Sequence, residues 1–215
     1  MKRIDNHKLL VGLAFSVILV FGIITNLRGQ INPLIQQDYG INYSQLGFTM
    51  VCYSIGGILA AFFGGVVIQK FNLKRVLLTG LIISSIALVV INYINSYYSL
   101  ALTMALLGTG LGILNISSNS LASLVFTKDK GRMMNIFHLF FGVGGILAPI
   151  YANYLFDLGF MWEGVYLVGI IFMIYLFLYT FFSKFPEKDS GDDEQETTIM
   201  EVLKDNRVVI FTLMF

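Results

Sequence analysis

The chain has 215 residues, of which 56% are hydrophobic and only 13% charged, and its mean hydropathy is +0.76. A soluble domain carries about 25% charged residues, so this composition indicates a membrane protein. The net charge of +1 excludes an electrostatic nucleic-acid binder, which would need a basic excess. The single cysteine excludes a disulfide-stabilised scaffold and a cysteine-ligated zinc site.

Uncharged stretches indicate where the chain crosses the bilayer. They are residues 9–27, 39–69, 76–127, 133–156 and 164–183. A helix needs about 20 apolar residues to cross, and the third stretch is long enough for two crossings separated by a polar turn at 92–99. We therefore predict an all-α membrane protein. Its six transmembrane helices are expected at about 9–34, 44–69, 76–95, 99–126, 133–156 and 163–183.

Basic residues indicate the orientation. If the N-terminus is inside, all but one of the 14 Lys and Arg residues lie on the inner side, and Arg28 is the exception. Cytoplasmic loops are enriched in Lys and Arg. We therefore expect a multi-pass protein of the cell membrane, that of a bacterium, with a cytoplasmic N-terminus. Trp162 and Tyr166 lie near the predicted outer ends of their helix, as expected of an aromatic belt.

The composition changes after the sixth predicted helix, where most of the 13 acidic residues are found. Such a charge-rich stretch is typical of a solvated linker. We expect a six-helix N-domain at residues 1–184, a cytoplasmic acidic linker at 185–207 and the start of a seventh transmembrane helix at 208–215. This arrangement predicts that the chain is the first half of a longer protein.

The loop between predicted helices 2 and 3 contains a glycine followed by several basic residues. The positions concerned are Gly65, Gln69, Lys70, Asn72, Lys74 and Arg75. Their spacing resembles the signature of the major facilitator superfamily, with Gln69 in place of the usual acid and Asn72 in place of the second glycine. The resemblance implies a twelve-helix transporter, of which this chain is the N-terminal half, a six-helix bundle of two inverted three-helix repeats. It also implies that Gly65, Gln69, Lys70, Lys74 and Arg75 serve as a conformational switch.

Residues 110–119 in helix 4 and 132–149 in helix 5 resemble the fucose permease branch of that superfamily, which moves sugars, often with protons. Proton-coupled carriers of the branch keep an acid late in helix 1 and another in helix 4. Gly29 and Asn115 stand at those positions here, and neither titrates. His138 is then the candidate proton carrier, unless the coupling group lies in a second half or the carrier is a facilitator.

Polar side chains inside the predicted helices are the candidate solute-binding residues. They are Asn26, Arg28, Gln30, Asn115, Asn119 and His138. Polar groups are costly in lipid and usually face a cavity or another helix. Three alternatives stay open. The helix 1 group could lie at the outer interface with Arg28 snorkelling outward, the helix 4 asparagines could bond neighbouring helices, and His138 could make a structural hydrogen bond.

The sequence thus predicts a secondary active or facilitative transporter of a sugar or similar small polar solute, working by alternating access and not as an enzyme. Its expected partners are the solute, with or without a proton, the lipid bilayer and a C-terminal six-helix half. We expect no cofactor, no metal and no nucleic acid. The alternatives are a drug or metabolite exporter of the same superfamily and a non-transporting six-helix membrane scaffold.

Overall fold

The computed structural model describes residues 6–186, and every regular element in that range is helical. The α-helices are α1 (Asn6–Asn26), α2 (Arg28–Tyr39), α3 (Tyr43–Phe71), α4 (Leu73–Val90), α5 (Tyr97–Val125), α6 (Lys130–Asp157), α7 (Trp162–Val168) and α8 (Ile170–Phe182). A 3₁₀ turn at Ile91–Tyr93 extends α4. The predicted linker beyond residue 186 and the predicted seventh helix lie outside the described residues.

These helices form six segments that are long and apolar enough to cross a membrane, with mean hydropathies between 1.7 and 2.4. We number them spans 1 to 6. Span 1 joins α1 and α2, span 3 joins α4 and its 3₁₀ turn, and span 6 joins α7 and α8. Spans 2, 4 and 5 are α3, α5 and α6. The predicted all-α fold with six membrane-spanning helices is therefore confirmed over the part of the chain that the structure describes.

Side-chain caps fix where the two longest helices begin. Asn42 accepts a hydrogen bond from the Gln45 amide while the Gln45 side chain accepts one from the Asn42 amide, which is a capping box. Ser96 and Ser99 make the same reciprocal arrangement at the start of α5. Each box satisfies backbone donors that the first helical turn leaves unpaired, so the loops before α3 and α5 can be very short.

Span 1 continues past residue 34, where the sequence predicted its end, as far as Tyr39. Helix α2 continues through Pro33 and ends before Gly40, whose φ of 58° is in the left-handed region. Proline prevents a hydrogen bond to the carbonyl four residues earlier and commonly kinks a helix just before itself. That carbonyl belongs to Gly29, and Leu27, between α1 and α2, lies two residues or about half a turn before it.

The main packing contact of span 2 is with span 4, and it depends on glycine. A Cβ at Gly56 would collide with the carbonyl oxygen of Ala105, and one at Gly108 would collide with the carbonyl oxygen of Tyr53. A Cβ at Gly112 would lie 2.9 Å from the Cα of Gly57. The two backbones therefore touch, as small residues allow in membrane helix pairs.

Spans 1 and 5 pack in the same manner. A Cβ at Gly22 would lie 2.5 Å from the Phe141 carbonyl oxygen, and one at Gly144 would lie 2.5 Å from the Leu19 carbonyl oxygen. In a pair of inverted three-helix repeats, spans 1, 2 and 3 correspond to spans 4, 5 and 6. The span 2–span 4 contact then corresponds to the span 5–span 1 contact, which is the equivalence that two such repeats require.

Spans 2 and 5 bury the least surface. In the most apolar window of each, only 22% of span 2 and 17% of span 5 is buried, against 50% for spans 1 and 4. Exposed aliphatic and aromatic side chains cover both helices, among them Ile58 and Phe63 on α3 and Ile146 and Ile150 on α6. The broad outer faces of these two spans are therefore available to lipid or to another helical bundle.

Candidate functional site

Leu27 separates α1 from α2, although it keeps helical dihedral angles and donates a hydrogen bond to the Ile23 carbonyl oxygen. We call this one-residue junction the break in span 1, and polar residues lie on both sides of it. Asn26 ends α1 and Arg28 begins α2. The Asn26 side chain donates 2.7 Å to the carbonyl oxygen of Gly22, the fourth residue before it, along its own helix. Polar side chains inside a membrane span usually face a cavity or another helix. The neighbours of each polar side chain at this junction therefore indicate what it can bind.

The guanidinium of Arg28 lies over the aromatic ring of Tyr53 on span 2, with its central carbon 3.7 Å from the ring centre. Its Nε donates 3.0 Å to the carbonyl oxygen of Thr25. The Thr25 hydroxyl is 3.5 Å from the Tyr53 hydroxyl. These contacts form a group that joins spans 1 and 2, and a cation on the face of a tyrosine ring is a favourable arrangement.

The depth of Arg28 along span 1 shows whether its charge can lie inside the bundle or extends outward to the membrane surface. Span 1 runs from Asn6 to Tyr39, so Arg28 is about 8 Å from its midpoint at 1.5 Å per residue. The hydrocarbon core extends about 15 Å on each side of its centre. The bond to Thr25 also turns the side chain back toward the middle of the span, which is opposite to outward snorkelling. The geometry therefore favours an interior position for the charge.

Tyr166 on span 6 completes this group. Its side chain is fully buried, and its hydroxyl has no hydrogen-bond partner among the described residues. Arg28 and Tyr53 are both close enough to act electrostatically on that hydroxyl. The sequence assigned Tyr166 to an aromatic belt, whereas the structure buries its ring inside the bundle. We call Thr25, Arg28, Tyr53 and Tyr166 the Arg28 cluster.

The other polar residues of span 1 face different neighbours. The Asn26 amide nitrogen lies 3.4 Å from where a Gly145 Cβ would stand, so Asn26 occupies space that this glycine leaves open on span 5. Asn32 donates weakly to the Met50 sulfur at 3.5 Å, on the same side as Tyr53. Gln30 is exposed. The face shared by Arg28 and Asn32 therefore packs on span 2, whereas Asn26 packs on span 5.

The asparagines of span 4 bond to each other. The Asn119 side chain donates to both the backbone oxygen and the side-chain oxygen of Asn115, each at 2.9 Å. Asn115 lies about 10 Å farther along α5 than Gly108, which contacts Tyr53. The structure thus brings Asn115 and Asn119 together, but it places them deeper than the Arg28 cluster and not in contact with it.

His138 on span 5 is exposed, and its ring lies edge-on to buried Phe137 with ring centres 5.2 Å apart. Among the described residues its ring makes no hydrogen bond, so the structural hydrogen bond that the sequence left open is not found there. His138 lies seven residues, or about two turns, before Gly145 and therefore on the same face of α6. Asn26 and His138 consequently border one side of span 5 at two depths.

The loop between spans 2 and 3 is a single residue, Asn72. Its φ is 73°, a positive value that glycine adopts freely and that asparagine tolerates better than most residues. Its side chain also accepts a hydrogen bond from the Lys74 amide at 3.1 Å. Asn72 stands where the family signature has its second glycine. The positive φ at this position explains why asparagine can replace that glycine.

Lys74 is the basic residue of this loop that the structure places in a defined interaction. Its Nζ donates to the carbonyl oxygens of Phe181 and Ser183, each at 2.8 Å, at the end of α8. A cation at a helix C-terminus is favourable because unpaired carbonyls carry partial negative charge there. Lys70 lies 5.5 Å from the ring centre of its neighbour Phe71. Gln69 and Arg75 are exposed, and a Cβ at Gly65 would meet nothing within 4 Å.

Residues that sequence reasoning missed carry much of this site. Thr25, Tyr53 and Tyr166 were not candidates, because a tyrosine in an apolar stretch gives no sign of whether it faces lipid or the bundle interior. The glycines that bring spans 1 and 5 together, Gly22 and Gly144, were also missed, since the sequence does not show which glycine faces another helix. Within residues 6–186, no group of three or more His, Cys, Asp or Glu side chains could hold a metal ion.

Comparison with known proteins places this architecture in a family. Residues 13–215 match the family model of the Major Facilitator Superfamily. An MFS-type transporter of Yersinia pestis is 28% identical over 147 residues, covering 68% of this chain and 38% of that protein. A TsgA homologue of Buchnera aphidicola subsp. Schizaphis graminum is 25% identical over 199 residues, covering 90% of this chain and 51% of that protein.

A second TsgA homologue, from Buchnera aphidicola subsp. Baizongia pistaciae, is 26% identical over 186 residues and covers 84% of this chain and 48% of that protein. The chain therefore spans about half the length, or less, of the curated relatives that it matches. The family match covers most of the chain, and the six spans and the inner-loop residues agree with it. We conclude that the chain belongs to the Major Facilitator Superfamily.

Proposed function

We propose that this chain is the N-terminal half of a secondary transporter that moves a small polar solute, such as a sugar, by alternating access. The observation that carries the proposal is the Arg28 cluster. It holds a charge and three hydroxyl groups inside a six-span bundle, next to a break in span 1. Intramembrane charges usually mark a solute or ion pathway. The family points to a transporter rather than an enzyme.

The open faces of spans 2 and 5 are the proposed contact with a second six-helix half. Gly65 on span 2 and Gly142 on span 5 both have open space where a Cβ would stand. Since span 2 corresponds to span 5 in the inverted repeats, the two faces are equivalent. A second bundle packed against both would enclose Asn26 and His138 between the halves, where such carriers bind their solutes.

The proposed orientation has the N-terminus, the Lys74 loop and the acidic linker at 185–207 on the cytoplasmic side of the cell membrane. It follows from the distribution of Lys and Arg in the sequence. In this arrangement Asn26, Arg28 and Gln30 line the outer half of the pathway. Asn115, Asn119 and His138 line its inner half, and Gly65, Gln69, Lys70, Lys74 and Arg75 form the inner switch.

Uptake by the full-length protein in proteoliposomes tests the proposal. The assay compares accumulation and exchange of radiolabelled sugars and related polyols with empty liposomes. Two variants are measured beside wild type. Asn26→Leu removes an amide at the break, and the matched control Asn153→Leu removes an exposed amide farther along α6. We expect Asn26→Leu to lower uptake at least about tenfold, the loss typical of removing one solute hydrogen bond in a desolvated site, and Asn153→Leu to leave it near wild type.

Equal losses in the two variants would show that Asn26 acts only through folding, and uptake no faster than in empty liposomes across the whole panel would favour a non-transporting scaffold. The proposal also favours a polar solute over an apolar drug, because the groups at the break are an amide, a guanidinium and hydroxyls. Faster movement of apolar dyes than of any sugar would support the exporter alternative.

A further inference from the structure

The positive charge of Arg28 has no acidic partner among the described residues. Its neighbours are the ring of Tyr53 and the carbonyl oxygen of Thr25, and neither neutralises a full charge. The acidic residues of the described spans lie at helix ends, and they are Asp38, Asp129, Asp157 and Glu163. Asp38 already accepts a hydrogen bond from the indole of Trp162. Within residues 6–186, no acidic side chain therefore pairs with the charge of Arg28.

The contacts of Arg28 also leave part of it free to bind. Its Nε is occupied by the Thr25 carbonyl, and one face of the guanidinium is covered by the Tyr53 ring. Its two terminal nitrogens make no hydrogen bond to any residue in the described range. A guanidinium held flat on an aromatic ring can still offer its edge to a planar carboxylate through two parallel hydrogen bonds.

The buried hydroxyl of Tyr166 is the second, independent observation. Its side chain is fully buried, its oxygen lacks a partner among residues 6–186, and it lies within electrostatic reach of Arg28. A buried hydroxyl without a partner is unusual because it forfeits the hydrogen bond that it had in water. Arg28 and Tyr166 thus both hold hydrogen-bond donors that no described residue uses.

We propose that the solute carries a carboxylate, which binds to the terminal nitrogens of Arg28 and accepts a further hydrogen bond from Tyr166. This inference rests on the proposed function, because it names the chemical class of the solute for the same site. It narrows a small polar solute to an organic acid of sugar size, such as a uronate. The competing arrangement is an acid from the second half paired with Arg28, in which case the solute is neutral.

The test is thermal unfolding of the purified full-length protein in detergent, with matched pairs of solutes. Sodium glucuronate is compared with glucose and sodium galacturonate with galactose, at equal ionic strength. The pairs share a ring and differ at the carbon that carries the carboxylate. We expect at least one uronate to raise the unfolding temperature in a saturable manner and its neutral partner to bind at least about tenfold more weakly, as expected for the loss of a charge-assisted pair.

Three variants make the result specific. Arg28→Gln should weaken uronate binding about tenfold or more, and Lys128→Gln, which removes an exposed positive charge of the loop before α6, should leave it unchanged. Tyr166→Phe removes only a hydroxyl and should weaken binding several-fold. It also keeps the test valid if Arg28→Gln does not fold.

Three outcomes would overturn the inference: neutral sugars that stabilise as well as the uronates, uronate binding that survives both Arg28→Gln and Tyr166→Phe, or no stabilisation by either uronate. Uptake separates this failure from failure of the proposed function. If the protein carries neutral sugars but binds no uronate, the carboxylate inference is wrong and the proposed function stands. If it carries no solute at all, the proposed function itself fails.

Discussion

The guanidinium carbon of Arg28 lies 3.7 Å from the centre of the Tyr53 ring, which ties the break in span 1 to span 2. A single charge is thus held by an aromatic face and a backbone carbonyl, without an acid among the described residues. This arrangement keeps the charge inside the bundle while leaving the edge of the guanidinium unoccupied. The stability of the pair and its access to solute can be tested separately.

The Arg28–Tyr53 pair should contribute measurable stability. Tyr53→Leu is expected to destabilise the full-length protein by about 1–2 kcal/mol more than Tyr53→Phe, because phenylalanine keeps the aromatic face. A double-mutant cycle of Tyr53→Leu with Arg28→Met, followed by unfolding in detergent, isolates the coupling between the two side chains. A coupling energy of zero would show that the contact adds nothing to folding.

The close contact between spans 1 and 5 should tolerate no side chain at Gly144. Gly144→Ala places a methyl group 2.5 Å from the carbonyl oxygen of Leu19, and such overpacking typically costs about 1–3 kcal/mol. Gly131→Ala is the matched control on the same helix, since nothing lies within 4 Å of its Cβ position. Thermal unfolding measures both, and equal unfolding temperatures for the two variants would mean that the spans are not in backbone contact.

Lys74 should hold the inner end of span 6 against span 3. Lys74→Met removes both hydrogen bonds to the last carbonyls of that span and should cost about 0.3–1 kcal/mol, with faster amide hydrogen exchange near Ser183. Lys70→Met is the control, because Lys70 contacts only its own neighbour Phe71. If the amides near Ser183 exchange at the same rate in both variants, Lys74 does not hold the end of span 6.

His138 should not be essential for solute movement. It is exposed on span 5 and makes no hydrogen bond among residues 6–186, so no described polar group holds its ring in place. We expect His138→Gln in the full-length protein to retain proton-independent exchange, measured as counterflow without a pH gradient. If the variant instead loses only proton-driven accumulation, His138 is the coupling residue, and that would contradict the view that coupling lies elsewhere.

The six spans could be predicted because charges are rare in this chain, so that each uncharged stretch defines a crossing. The loop between spans 2 and 3 could also be recognised from its basic residues. Asn72 departs from the family signature there, but its positive φ fits the loop. Which helix faces pack inside the bundle could not be predicted. Both faces of a membrane helix are apolar, so the sequence does not show that Gly144 faces span 1 whereas Gly142 meets nothing within 4 Å.

The candidate site was predictable only in part, for a related physical reason. A charged or amide side chain in an apolar stretch is conspicuous, so Asn26 and Arg28 could be found. Tyr53 and Tyr166 could not, because tyrosine is amphipathic and is equally compatible with the membrane interface and with the interior. The depth of Asn115 relative to Arg28 depends on how far spans 1 and 4 are shifted along each other. The spacing of residues within one helix gives no information about that shift.

Alternating access requires that the region around the break in span 1 and the face of span 5 below it form one water-filled pathway. Single cysteines test this in a cysteine-free full-length protein with a membrane-impermeant thiol reagent, and they are placed at Gln30, at His138 and at exposed Ile171. We expect Gln30→Cys to react from outside and His138→Cys to react from inside, and conditions that protect one of them to expose the other. Ile171→Cys should stay unreactive. If Gln30→Cys and His138→Cys are as unreactive as Ile171→Cys, there is no such pathway.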